Sequence, residues 1–136
     1  MIDASLPVQK AIRARLIADA TVNALVAGRI YDAVPTAAAK PYLSFGPFDV
    51  LPEPADCSQG ADITLQIDGW AAGPDTVEIK RIGAAVAASL QWAELALDEG
   101  QRLVIMSIET VRYLRDPDGI TAHAAVTVRA QTEPLT

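Results

Sequence analysis

The chain holds one cysteine and one histidine in 136 residues, and each scarcity removes a class of chemistry. Cys57 has no second thiol for an intramolecular disulfide. No Cys-His motif surrounds it, so it reads as an inert loop thiol rather than a nucleophile with a base at hand. His123 alone cannot build a histidine-rich metal site, and its place in an alternating segment makes it a solvated strand residue rather than a catalyst. Cations are also scarce: 11 Lys and Arg against 17 Asp and Glu give a net charge of −6 and an isoelectric point near 4.6. Surfaces that neutralise phosphate need an excess of Lys and Arg, so stable nucleic-acid binding is disfavoured. An acidic surface past which DNA slides without sticking is compatible with this balance. Long apolar runs are missing too. The longest uncharged stretch, 82–93, is too short to cross a bilayer and is interrupted by Ser89 and Gln91, so no membrane partner is expected. Met1-Ile2-Asp3-Ala4 opens the chain without a basic segment leading into an apolar one, so a secretory signal is not expected and cytoplasmic assembly is. No phosphate-cradling or metal-ligating motif is present, so the expected cofactor set is empty and the chain is not expected to be an enzyme.

Apolar residues, by contrast, are abundant, at 51% of the chain, with mean hydropathy +0.22 and much of the excess carried by alanine. Small apolar surfaces suit close packing between subunits as well as within one. The length fits a single domain spanning residues 1–136, large enough to bury a real core.

The most informative stretch is the last forty residues. Two alternating runs, 103–114 and 120–132, flank Asp116-Pro117-Asp118-Gly119, and this predicts a β-hairpin. Pro117 presets φ at the first corner, Asp118 tolerates the second, and Gly119 can take the positive φ of a tight reversal. Upstream, Pro7 near a helix start and the stripe Val8, Ile12, Leu16 predict a first helix. Asp19 reads as the N-cap of a second, short helix bearing Val22, Leu25 and Val26 and ended by Gly28. Residues 29–35 form a short extended piece, and 41–47 read as a proline-bounded edge strand. From Phe48 to Gly60 the composition predicts a long loop, in which Phe48, Val50 and Leu51 stand out as apolar residues available to a partner or folded back on the domain. Ile63, Leu65 and Ile67 alternate with Asp62, Thr64, Gln66 and Asp68, the pattern of a strand with one buried and one wet face. Asp75 and Glu78 have capping-box spacing before a helix whose stripe is Ile79, Ile82, Val86 and Leu90. Its other face, with Ala84, Ala87, Ala88 and Gln91, is small enough for another backbone to approach. In the hairpin, Val104, Met106 and Ile108 are expected to meet the helices, with Ser107, Glu109, His123, Thr127 and Arg129 on the polar side. The fold class is therefore α+β: an antiparallel sheet with a long C-terminal hairpin, covered on one face by two main helices.

Leu25-Val26-Ala27-Gly28-Arg29-Ile30-Tyr31-Asp32, Pro35, Pro41-Tyr42-Leu43, the strand Leu65-Gln66-Ile67-Asp68 ending at Trp70, and Arg115-Asp116-Pro117-Asp118-Gly119 occur in one order along nearly the whole chain. In that order and spacing the sequence resembles the tail terminator family of long-tailed phages and phage-like gene transfer agents. The resemblance implies a tail-tube-like plan and a homohexameric ring that caps the tail tube, stops its growth and joins it to a head-connector or stopper protein, with DNA passing through the channel unbound. It implies no catalytic residue, assembly in the bacterial cytoplasm and a final place at the head-tail junction. Three surfaces are expected to serve this role: a partner interface at Phe48, Val50, Leu51 and the hairpin tip Asp116, Asp118 and Gly119; a subunit seam at Ala84 and Ala88; and a channel face at Thr64, Gln66 and Asp68. The alternative is a small ligand-binding or regulatory α+β module acting as a monomer or dimer, while an enzyme would require a pocket with convergent titrating groups.

Overall fold

Alternation along one central strand divides the molecule into two sides. The computed structural model describes residues 1–53 and 59–135. Its elements run α1 (Ser5–Ala18), α2 (Ala20–Val26), β1 (Ile30–Tyr31), β2 (Tyr42–Pro52), β3 (Ala61–Ala72), α3 (Val77–Leu90), β4 (Gln101–Arg115) and β5 (Thr121–Pro134). The strands form one sheet in the order β1-β2-β3-β5-β4, antiparallel except for the short β1–β2 pair. In β3, Ile63, Leu65 and Ile67 are at most 1% exposed, and they share a core with Val8, Ile12, Leu16, Val22 and Val26 of the first two helices and Ile79, Ile82, Val86 and Leu90 of α3. Each such side chain contributes about 1.5–3 kcal/mol through removal from water. This is the α+β plan expected, with both helical stripes and the C-terminal hairpin in place.

The helix starts differ in detail. α1 begins at Ser5 after Ala4, so Pro7 sits in the first turn rather than at its first position, and the Asp3 carboxylate accepts from the Ser5 N–H at 2.8 Å. Asp19 does cap α2, accepting from the N–H groups of Thr21 and Val22, both at 3.0 Å. The Val22 amide above all holds the Asp19 carboxyl below its ordinary range. α3 starts at Val77; Asp75 accepts from the Val77 N–H at 3.2 Å, but no side chain caps the helix in the manner of a capping box.

Two larger differences arise from bulges. β2 does not stop at Pro47: it runs to Pro52, pairing Phe48 through Pro52 with Leu65 back to Ala61 after a register shift between Phe45 and Phe48. Pro47 lacks an N–H for the ladder, and an irregularity is where a strand can accommodate it. The first five residues of the expected loop are thus strand. Cys57, expected as an inert loop thiol, lies outside the described residues. In β4 the register shifts between Leu103 and Ile105 and again between Ile108 and Thr110. Each extra residue inverts the alternation, so the side facing the helices carries Met106 and Ile108, then Val111 and Tyr113, while Val104 is 48% exposed.

The first half of the β4 edge, as far as Ile108, is occupied. The Trp92 N–H donates to the Met106 carbonyl at 3.0 Å, the Ile108 N–H donates to Gln91 Oε1 at 2.7 Å, and Ala96 bridges to Arg102. Residues after α3 thereby shield this half of the edge, which would otherwise offer an unpaired ladder to other chains.

Candidate assembly surfaces

The hairpin tip is built by its own aspartates. Asp116 donates its N–H to the Thr121 carbonyl at 2.9 Å and accepts at its own carbonyl from the Gly119 N–H at 3.0 Å. Gly119, at φ +72, takes the left-handed corner expected of it. Asp118 Oδ1 accepts from the N–H groups of Ile120 and Thr121 at 2.9 Å, and Oδ2 from the Thr121 hydroxyl at 2.7 Å. These bonds, that hydroxyl first, lower the Asp118 pKa. Lys40 Nζ donates to Thr121 Oγ1 at 2.6 Å, tying the tip to the segment before β2. Asp118 is therefore spent on a stiff turn, and the tip's exposed apolar residue is the neighbouring Ile120, 65% exposed.

The other half of the expected partner interface divides by side. Phe48 and Val50 are half-buried against the core, whereas Leu51, 62% exposed, points to the opposite side. The pleat of β2, invisible while the stretch was read as a loop, separates them.

Ala84 and Ala88 are both exposed on α3. Ala84 lines an open apolar groove of about 720 Å³ between α2 and α3, together with Ala20, Thr21, Ala24, Leu25, Arg81 and Ala85; Ala88 is not part of its lining. The contribution of α2 was not legible in the sequence, where the two helices lie some fifty residues apart.

On the polar side of the sheet, Thr64 and Gln66 are half-buried, and Asp68 is only 8% exposed. Asp68 Oδ1 meets His123 Nε2 at 2.6 Å and accepts from Gln66 Nε2 at 2.8 Å. The His123 ring stacks on Trp70 with centroids 4.0 Å apart and planes 4° from parallel, and Trp70 Nε1 donates to Ser44 Oγ at 3.1 Å. Pairings Ser44↔Asp68 and Trp70↔His123 assemble this cluster from three strands. Strand pairing brings these residues together, so His123 is less open to solvent than its alternation suggested. Ser44 Oγ accepts from the Trp70 indole, and among the described residues no bond from the Ser44 hydroxyl to His123 is made. Two further carboxylates on this side have cationic partners: Asp62 with Arg129 through two bonds of 2.9 and 2.8 Å, and Glu133 with Arg102. The Asp62 carboxylate pushes the Arg129 pKa up, keeping the guanidinium charged. Among the described residues no group of three His, Cys, Asp or Glu side chains could hold a metal ion, and no helix is long and apolar enough to cross a membrane.

Comparison with known proteins bears on what these surfaces serve. The profile of the family described as tail completion protein gp17 matches residues 10–133. The chain belongs to that family. A chain in the solved structure of the virion of a native gene transfer agent particle superposes with a TM-score of 0.88 at 29% identity, covering 98% of this chain and 99% of that one. Comparison with curated proteins returned no match. The resemblance read from the sequence and the α+β plan are both borne out, and the coarse role is that of a structural tail protein.

Proposed function

We propose that this tail completion family member is a tail terminator: copies close into a homohexameric ring that caps the tail tube, ends its growth and joins it to the head connector, with DNA passing through. The likeness along 98% of the chain to a component of a gene transfer agent virion carries this reading. The partners are then the chain itself, the tail tube protein and a head-connector or stopper protein, with assembly in the bacterial cytoplasm and no chemistry of its own.

The polar side of the sheet is the surface proposed to face the channel. Arg129 and Arg102 on that side each lie against a carboxylate, which lessens their pull on phosphate, whereas Arg112, on the same side through its pairing with Ala125, is exposed and has no ion-pair partner among the described residues. Asp68 has a structural place there, bonded and nearly buried, which leaves Thr64 and Gln66 as the residues to test. Thr64→Lys with Gln66→Lys is expected to permit tail assembly and slow DNA passage, with the delay shrinking as salt rises because the screening length is only roughly 8 Å at physiological ionic strength. The deciding experiment for the role itself is electron microscopy of particles assembled without this chain. Tails of uncontrolled length and unattached heads are expected; normal joined particles would refute the terminator reading.

A further inference from the structure

Trp92 is a large side chain in the wrong conformation for the monomer. Its φ is +57, a region that bulky residues rarely occupy, and its side chain is 61% exposed. The bond that fixes the segment runs from its backbone N–H to Met106 and would be made by any residue but proline. That bond therefore does not account for an indole in this conformation, and an outlier of this kind that leaves most of its side chain in solvent points to a use outside the monomer.

The groove between α2 and α3 has the complementary character. It is open and apolar, and alanines and Leu25 form most of its wall. Ala84 and Trp92 are eight residues apart along and just beyond α3, roughly 12 Å at the helical rise, so the indole does not fold back into its own groove. Charge adds direction. Arg81 stands on the groove wall and Glu94, exposed, follows Trp92 by two residues; among the described residues neither has an ion-pair partner.

We infer that Trp92 of one copy seats in the Ala84-lined groove of the next, with Glu94 meeting Arg81 across the contact. Knob and groove are different patches of one surface, so the contact is head-to-tail and propagates until rotation closes it into a ring. It supplies the seam of the ring proposed above and rests on that reading. A buried tryptophan with an arginine beside it is also the composition in which interface energy concentrates.

Sedimentation of the full chain over a concentration series tests this. The wild type is expected to self-associate. Trp92→Asn suits the left-handed backbone, so it is expected to unfold at higher urea than the wild type and yet remain monomeric, an opposition that a merely structural tryptophan would not produce. Ala84→Arg, at an exposed helix position, is expected to stay folded by circular dichroism and remain monomeric as well. Mixed in equal amounts, these two variants share one intact knob and one intact groove, and a discrete heterodimer that grows no further is expected. Arg81→Glu and Glu94→Lys are each expected to weaken association at least several-fold, and the double reversal to restore it. Undiminished association of Trp92→Asn would overturn the inference, as would a mixture that stays monomeric while the wild type associates. A wild type that is monomeric at every concentration would overturn it too. The terminator role would survive each of these results, because tail length and head attachment in assembled particles report on it separately.

Discussion

Gly83 lies on the α3 face that packs against β4, and replacing it with alanine sets two effects of known size against each other. A helix interior gains about 1 kcal/mol when glycine becomes alanine, from lost backbone freedom in the unfolded chain. The added Cβ, however, would lie 2.4 Å from the Tyr113 hydroxyl oxygen, 2.7 Å from Cε1 and 2.9 Å from Cζ. The nearest approach is about 1 Å short of van der Waals contact, so the ring must swing away. That movement breaks the bond from the Tyr113 hydroxyl to the Lys80 carbonyl, 3.3 Å long, and draws the ring from beneath Lys80, whose Nζ lies 6.0 Å from its centroid. Burial of the ring, which also raises the phenol's pKa, is lost in part. Overpacking of this kind costs about 1–3 kcal/mol. The sum predicts that Gly83→Ala destabilises by about 1 kcal/mol. In a Tyr113→Ala background the obstacle is gone, and the same substitution is expected to stabilise by about 1 kcal/mol. Urea unfolding of the four proteins in this cycle, with unchanged denaturant slopes, measures both values. A Gly83→Ala chain more stable than the wild type, or an effect of the same sign in both backgrounds, would refute the claim that Gly83 sets the separation of α3 from the sheet.

Further outcomes follow from the same geometry. Asp19→Ala is expected to cost about 1 kcal/mol through loss of the α2 cap. Because the folded-state pKa of Asp19 is lowered, its contribution is fully present above the ordinary carboxylate range and lost as pH falls through the depressed value, so acid unfolding curves of the wild type and Asp19→Ala should converge at low pH. Gly119→Ala places a side chain in a left-handed corner with open space around it, and thermal unfolding should show a loss of about 1–2 kcal/mol with no change of fold. Phe48→Ala is expected to destabilise the domain in urea by about 2 kcal/mol, somewhat less than a fully buried phenylalanine would. Leu51→Ser should leave stability within about 0.5 kcal/mol, so any defect it causes in particle joining, seen by microscopy, assigns Leu51 to a partner surface.

What the sequence determined was whatever depends on neighbours along the chain. The helical stripes Val8-Ile12-Leu16 and Ile79-Ile82-Val86-Leu90, the Asp19 cap, the β3 alternation and the Gly119 turn rest on periodicity, capping and φ preference, and all are realised. Family membership was legible for a similar reason, since short marks in a fixed order survive in the linear text. Tertiary structure decided everything that depends on pairing. Bulges inverted the alternation of β4 and carried β2 past Pro47, because a ladder can absorb an extra residue that a strict two-residue period cannot anticipate. Strand register placed His123 and Asp68 in contact, although 55 residues separate them, and turned a nominally wet aspartate into a bonded, nearly buried one. Helix packing joined Ala20 and Ala24 to Ala84 in one groove, and the turn after α3 left Trp92 facing solvent. Local preferences fix which segments are helix or strand, but burial and pairing are settled only when distant segments compete for the same surface.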